Sequence, residues 1–250
     1  ERNIAFYRNL ARAALAAAPA ELVLWPHNSY ERTLRFGADD PGLERPTLAD
    51  GGLEARLAGD LPFQTHTLLS AQASSPESDR QAWPSRHYVT LLVGPDGKVA
   101  GSTSKVHPTP LAEWLPLDGY FPFLHRLTPK LKRVLPGPSR LLSLPDGRRL
   151  GVFVCYDAVK TGVARRLAAA GAQVLLNPSS DQWSYDRTSQ PWQHLRIVMM
   201  RAVENRRFFV RATPSGVSAV VDPAGRLAAH LPVDTSGHFT RTVALLDGRT

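Results

Sequence analysis

The stretch Arg140-Leu-Leu-Ser-Leu-Pro-Asp-Gly-Arg-Arg-Leu-Gly-Val-Phe-Val-Cys-Tyr-Asp157 decides how this chain is read. Pro145 presets a negative φ and Gly147 accepts the positive φ that turns the chain back, so the segment predicts a hairpin of Arg140–Leu144 with Leu150–Cys155. Its second strand is almost wholly apolar, as a strand buried on both faces should be, and it delivers Cys155 to a sheet edge. The same turn grammar recurs at Pro95-Asp-Gly97, between Tyr88–Val93 and Lys98–Lys105, and at Asp222-Pro-Ala-Gly225, between Gly216–Val221 and Leu227–His230.

Around these hairpins the periodicity alternates. Three-and-four spacing of apolar residues predicts helices over Asn3–Ala18, Leu53–Ala58, Val159–Ala170 and Trp192–Asn205. The last shows a core-facing stripe of Trp192, Leu195, Val198, Met199, Ala202 and Val203. Extended runs are expected at Glu21–Trp25, Gln64–Ala73, Gln173–Asn177 and Phe239–Leu246. Helices alternating with hairpins imply an α/β protein with two sheets, each covered by helices on one side and packed together by their bare faces. The expected architecture is therefore a four-layer α-β-β-α sandwich, in one domain over residues 1–250.

Composition narrows the function classes. Apolar residues make 43% of the 250 and charged residues 21%, an ordinary balance for a folded chain. No apolar run reaches the roughly 18 residues of a spanning helix; even Leu10–Trp25 is broken by Arg12, Pro19 and Glu21. The net charge of +8 favours contact with something anionic, such as phospholipid headgroups. The basic residues are scattered, with Lys130-Leu-Lys-Arg133 the densest cluster, and no nucleic-acid-binding module is present. One cysteine and no helical histidine pair with an acidic third ligand exclude a zinc site, so no metal and no cofactor are expected. There is no Gly-x-Ser-x-Gly elbow for serine chemistry.

Cys155 is the only cysteine, so it is either inert packing or a nucleophile. A cysteine attacks as its thiolate, which needs a proton acceptor and a nearby positive charge. Lys105, at the end of a predicted strand, suits the second role, and in isolation it would be an ordinary surface lysine. Glu113 lies eight positions on, in a proline-punctuated loop able to curl back, where a carboxylate could orient the lysine or exchange protons. Its bland reading is a surface charge. His107 could touch the same pocket, whereas His194, at the start of the long helix, reads as a buried hydrogen-bonding histidine.

Four segments resemble the nitrilase (carbon-nitrogen hydrolase) superfamily, and within it the extracytoplasmic domain of the apolipoprotein N-acyltransferases. They are Leu22-Val-Leu-Trp-Pro26, Lys105 through Pro116, Val152-Phe-Val-Cys-Tyr-Asp157, and Asn177 through Val221. The resemblance implies the α-β-β-α sandwich and a Glu-Lys-Cys catalytic set, with Cys155 as nucleophile, Lys105 as the lysine and Glu113 as the second glutamate. It places Tyr156, Asp157, Trp183 and Trp114 at the substrate, with Tyr120, Phe121 and Phe123 among the hydrophobic loops that admit lipid tails.

One position departs from the pattern. The family's base is the Glu of Trp-Pro-Glu, and this chain reads Trp25-Pro26-His27. Imidazole can accept a thiol proton, so His27 either substitutes as base or marks an impaired enzyme in which Lys105 loses its carboxylate partner. The implied reaction moves an acyl chain from a phospholipid, through a Cys155 thioester, to the N-terminal amine of a lipoprotein. The implied setting is the bacterial inner membrane, with this domain, cut from a longer membrane protein, facing the periplasm and acting as a monomer at the membrane surface. Two other readings stay open: a nitrilase-type amidase in which water resolves the thioester, and a catalytically dead lipid- or protein-binding relative.

Overall fold

The structure is a computed structural model and describes all residues except 1, 38–39, 41, 49–50, 62–63, 76–77, 79–83, 118–119, 122, 125–127, 129–132, 183–188 and 249–250. It is an α-β-β-α sandwich. The first sheet holds β1 (Leu22–Leu24), β2 (Tyr30–Arg35), β3 (His66–Ser74), β4 (Ser85–Val93), β5 (Val99–Ser104) and β6 (Arg133–Val134). β1 and β2 run parallel to β3, while β3, β4 and β5 form an antiparallel meander and β6 lies parallel to β4. The second sheet holds β7 (Leu141–Ser143), β8 (Arg149–Val152), β9 (Val174–Pro178), β10 (Phe209–Ala212), β11 (Ala219–Val221) and β12 (Leu227–His230), in the spatial order β12-β11-β10-β9-β8-β7.

Among the described residues four helices cover the two outer faces: α1 (Arg2–Ala17) and α2 (Leu53–Asp60) on the first sheet, α3 (Thr161–Ala169) and α4 (Gln190–Asn205) on the second. Three apolar clusters mark the three contacts between layers. Ile4 and Ala11 of α1 and Leu53 and Leu57 of α2 pack with Leu69, Ala71, Val89 and Leu91 on one side of the first sheet. Leu68 and Leu92, from the opposite face of the same strands, meet Leu142, Leu150, Val152, Val174 and Leu176 between the sheets. Phe153, Val163, Leu167, Leu175, Val198 and Phe209 fill the layer under α3 and α4. The alternation of β3 and β4 thus feeds two cores at once.

All three turn-predicted hairpins form, and Gly97, Gly147 and Gly225 take the positive φ values the turns require (79°, 85° and 81°). Three expectations are corrected. The strand leading to Cys155 stops at Val152, and Cys155 opens a 3-10 turn, Cys155–Val159, because its φ of 49° cannot continue a ladder. Val203 is exposed on α4 and does not join the core stripe; the buried positions there are Pro191, Leu195, Val198 and Ala202 with the polar His194, Arg201 and Asn205. Phe239–Leu246 joins neither sheet. Strands β2, β6 and β10 went unpredicted because none of them sits beside a strong turn signal.

Candidate active site

β1, β5, β8 and β9 bring their carboxyl ends together, the place where parallel strands present loops to a ligand. β1 runs into Trp25-Pro26-His27, β5 into Lys105, β8 into Cys155 and β9 into Ser179-Ser180. The two sheets are stitched there by the His27 amide, which donates to the Ser179 carbonyl at 3.2 Å.

Lys105 is wholly buried. Its ammonium donates to both oxygens of Glu113, at 2.7 and 2.5 Å, and stands 3.3 Å from the Thr109 hydroxyl. The loop curls back as its prolines suggested, and the Thr109 amide holds the Glu113 carboxylate at 2.6 Å. Lys105 therefore has a carboxylate partner, Glu113, from its own loop.

Tyr88, on β4, is a site residue that sequence reasoning missed. Its ring lies 4.3 Å from the His27 ring, edge to face, and 5.7 Å from the Lys105 ammonium. Burial raises the Tyr88 phenol, and the nearby Glu113 carboxylate and Cys155 sulfur raise it further, so it stays protonated. Nothing in its local sequence separates it from a core tyrosine; only the pairing of β4 with β5 places it there.

His27 is nine-tenths buried, with Nδ1 3.1 Å from the Ser70 hydroxyl. Burial, then the charge of Lys105, holds its pKa well below the usual histidine value. It is a neutral imidazole at pH 7.

Cys155 is 4% exposed, and its Sγ donates to the Ser180 carbonyl at 3.5 Å. Asp157 ties its turn to the lysine loop. One carboxylate oxygen accepts the amides of Val154 (3.2 Å) and Val106 (3.1 Å), and the other accepts His107 at 2.7 Å. Those partners immediately precede Cys155 and follow Lys105. Asp157 is fully buried and these three donors are backbone, so its carboxylate joins the two loops. Burial pushes its carboxyl up to about 6, with the Val106 and His107 amides opposing.

Beneath Ser180 lies a buried polar cluster. Arg211 of β10 donates to Asp181 at 2.9 and 3.0 Å and to Asn177 at 3.1 Å, and His194 Nδ1 lies 2.7 Å from Asp181. Burial raises the Asp181 carboxyl, while Arg211 and His194 more than offset it. An ionised Asp181 only accepts, so His194 carries its proton on Nδ1. The packing is tight: a Cβ on Gly216 would overlap the Asp181 carboxylate. His194 is thus the hydrogen-bonded core histidine the sequence suggested.

Tyr156 is half-buried with the Lys160 ammonium 5.7 Å over its ring. Trp114 is 40% exposed, in a loop that also exposes Leu111, Leu117, Tyr120, Phe121 and Phe123. Trp183 lies outside the described residues, as do residues 130–132 of the basic cluster. Among the described residues no group of three His, Cys, Asp or Glu side chains is placed to hold a metal.

A buried lysine-carboxylate pair bound through Asp157 to a cysteine turn, within an α-β-β-α sandwich, agrees with a match of residues 51–249 to the carbon-nitrogen hydrolase family model. The chain belongs to the carbon-nitrogen hydrolase family. Among its relatives, the apolipoprotein N-acyltransferase of Geobacter metallireducens is 27% identical over 255 residues, covering 100% of this chain and 45% of that protein. The enzyme of the same name from a Nostoc species is 34% identical over 194 residues, covering 72% of this chain and 38% of the relative. The chain thus spans less than half the length of these relatives. Among solved structures, Saccharomyces cerevisiae Nit3, a nitrilase-superfamily member, superposes with a TM-score of 0.66 at 18% identity, covering 93% of this chain and 80% of that one. A mutant amidase from Nesterenkonia sp. AN1, with the acetamide moiety of fluoroacetamide added covalently at its active-site cysteine, gives 0.64 at 24% identity, covering 93% and 81%. These structural likenesses establish the carbon-nitrogen hydrolase fold.

Proposed function

We propose that this carbon-nitrogen hydrolase domain transfers acyl groups, taking one from a phospholipid as a Cys155 thioester and passing it to the N-terminal amine of a lipoprotein. The observation that carries the reading is the buried Lys105–Glu113 pair, joined by Asp157 to the turn that holds Cys155. The names of the Geobacter and Nostoc relatives support the choice of reaction.

In the first half-reaction the Cys155 sulfur, having given up its proton, attacks the ester carbonyl. The C–S bond forms, the C–O bond to glycerol breaks, and the lyso-phospholipid leaves with a proton. In the second the acceptor amine attacks the thioester carbonyl, the C–N bond forms, the C–S bond breaks and the thiol is regenerated. The Lys105 ammonium stabilises the oxyanion of each tetrahedral intermediate, and His27 or Glu113 shuttles the proton. His27 stands near Lys105 as a neutral imidazole, a form able to accept a thiol proton. Tyr156 and Trp114 border the acyl donor, and Trp183 belongs to the same role.

The exposed aromatic loop supports work at a lipid surface, since large rings with polar neighbours favour the headgroup boundary and a net charge of +8 attracts anionic lipid. Among the described residues no helix is long and apolar enough to cross a membrane. In this reading residues 1–250 form one domain of a longer inner-membrane protein, facing the periplasm, acting as a monomer and using neither cofactor nor metal.

The test is incubation of the protein with phospholipid vesicles and a diacylglyceryl-cysteinyl peptide. N-acylated peptide supports the transferase. Free fatty acid without acylated peptide assigns the chain to hydrolysis, and absence of both products overturns the catalytic reading.

A further inference from the structure

The face that the first sheet turns toward the second carries two hydroxyls where apolar side chains would pack. Side chains two apart on a strand share a face, so Ser70 of β3 lies on the side of Leu68, and Thr90 of β4 on the side of Leu92, both in the core between the sheets. Ser70 and Thr90 pair directly across the two strands, and both are fully buried. A buried hydroxyl costs free energy unless it is hydrogen-bonded. Ser70 is bonded: its oxygen stands 3.1 Å from Nδ1 of His27, its one hydrogen-bond partner among the described residues.

That contact can be made in two ways, and only one of them leaves no proton stranded. If Nδ1 donates, the Ser70 O–H is left buried with nothing to receive it. If Ser70 donates into the Nδ1 lone pair, the hydroxyl is satisfied, and a neutral imidazole then carries its single proton on Nε2. His27 is neutral at pH 7, since burial and the Lys105 charge hold its pKa down. Lys105 makes no competing demand on the ring: its three N–H donors meet three acceptors, the two Glu113 oxygens and the Thr109 hydroxyl. The Tyr88 ring meets the imidazole edge to face, and its phenol stays protonated. Among the described residues Nε2 makes no hydrogen bond, so its proton is available to a ligand.

We propose that Ser70 is a positioning residue: its hydroxyl donates to His27 Nδ1 and holds the ring in the tautomer that offers an N–H, at Nε2, to the active site. A neutral imidazole accepts a proton only at the nitrogen that lacks one, and here that nitrogen is taken up by Ser70. His27 thus enters the reaction as a hydrogen-bond donor, and position 27 holds no free base. Lys105, with its own protons engaged, supplies charge to an oxyanion, and the Nε2–H supplies the directed hydrogen bond. The oxyanion as recipient rests on the acyl-transfer reading; the tautomer rests on the Ser70 contact and does not.

Proton-nitrogen correlation NMR of the histidine rings, with His27 identified by the signals lost in His27→Gln, reads the tautomer without any substrate. At pH 7 the expected spectrum has a protonated Nε2 and an unprotonated Nδ1. Ser70→Ala, which removes the donor, is expected to move the Nδ1 signal downfield to the position of an unbonded lone pair, or to return the proton to Nδ1. It is also expected to slow acylation of Cys155 by phospholipid about tenfold, a part of the worth of an oxyanion donor. A protonated Nδ1 in the parent protein overturns the proposal, and this outcome is readable even if the variant does not fold. An unchanged His27 spectrum in Ser70→Ala overturns it too, as does an unchanged rate where the parent forms the adduct. The expected spectra in a protein that forms no adduct support the positioning role and count against the acyl-transfer reading alone.

Discussion

The Lys105 ammonium lies 2.5 and 2.7 Å from the two carboxylate oxygens of Glu113, and no part of that lysine side chain reaches solvent. An ion pair this deep is held by geometry, and removing one partner leaves a buried charge. Glu113→Ala is expected to lower stability by about 3–5 kcal/mol in urea unfolding, because Lys105 then keeps the Thr109 hydroxyl and the Tyr88 ring but no carboxylate. Lys105→Met combined with Glu113→Gln should recover most of that loss, since no uncompensated charge remains. A double variant as unstable as the single one contradicts the pairing.

Asp157 makes the site sensitive to mild acid. With its carboxyl pushed up to about 6, it takes a proton as the pH falls through 6 and becomes partly a donor facing three amide donors. Acylation of Cys155 should fall with an inflection near pH 6, and Asp157→Asn should be slow throughout and lack it. An unchanged inflection in the variant would assign it to another group.

Two buried groups pull stability in opposite directions. The folded pKa of Asp157 lies above its unfolded value of 3.8, so its charge burial costs nothing below 3.8 and its full amount, a few kcal/mol, above about 6. The folded pKa of His27 lies below 6.5, so its contribution is intact above 6.5 and lost as the pH falls below that. His27→Gln should therefore flatten the loss of stability below pH 6.5, and Asp157→Asn should flatten the loss between 4 and 6. Thermal melts across pH 4–8 read both slopes.

Cys155 holds a left-handed φ of 49°, which costs a residue with a Cβ about 1 kcal/mol relative to glycine. Cys155→Gly should be more stable than Cys155→Ala by about that amount, with neither forming an acyl adduct. Equal stability would show that the turn relaxes without strain.

Trp114 and Phe121, 40% and 48% exposed, contribute little to the core. Replacing both by Ser should leave the melting temperature within about 2 °C and weaken sedimentation with anionic vesicles several-fold. Unaltered vesicle binding would remove this loop from the lipid surface.

Much of the fold was legible because its signals are local. Pro145-Asp-Gly147 and its two counterparts fix three hairpins, and the apolar period of Asn3–Ala18 fixes α1. Lys105 and Cys155 were legible as reactive types at strand ends, and Glu113 as a carboxylate in the loop that curls back to Lys105. What sequence could not supply was convergence: the ring of Tyr88 between His27 and Lys105, and the Asp157 bridge spanning 51 residues to Val106, exist only once β4, β5 and β8 are assembled.

A carboxylate at position 27 should raise the rate. His27→Glu is expected to speed acylation of Cys155 by on the order of 10²-fold, the worth of a placed general base. An equal or slower rate would show that Glu113 already serves that role.

Intact-protein mass spectrometry after incubation with phospholipid vesicles tests the central claim most directly. The account predicts a mass increase of one acyl group, mapping to the peptide that contains Cys155 and absent from Cys155→Ala. No adduct, under conditions where a small alkylating reagent still labels Cys155, would contradict it.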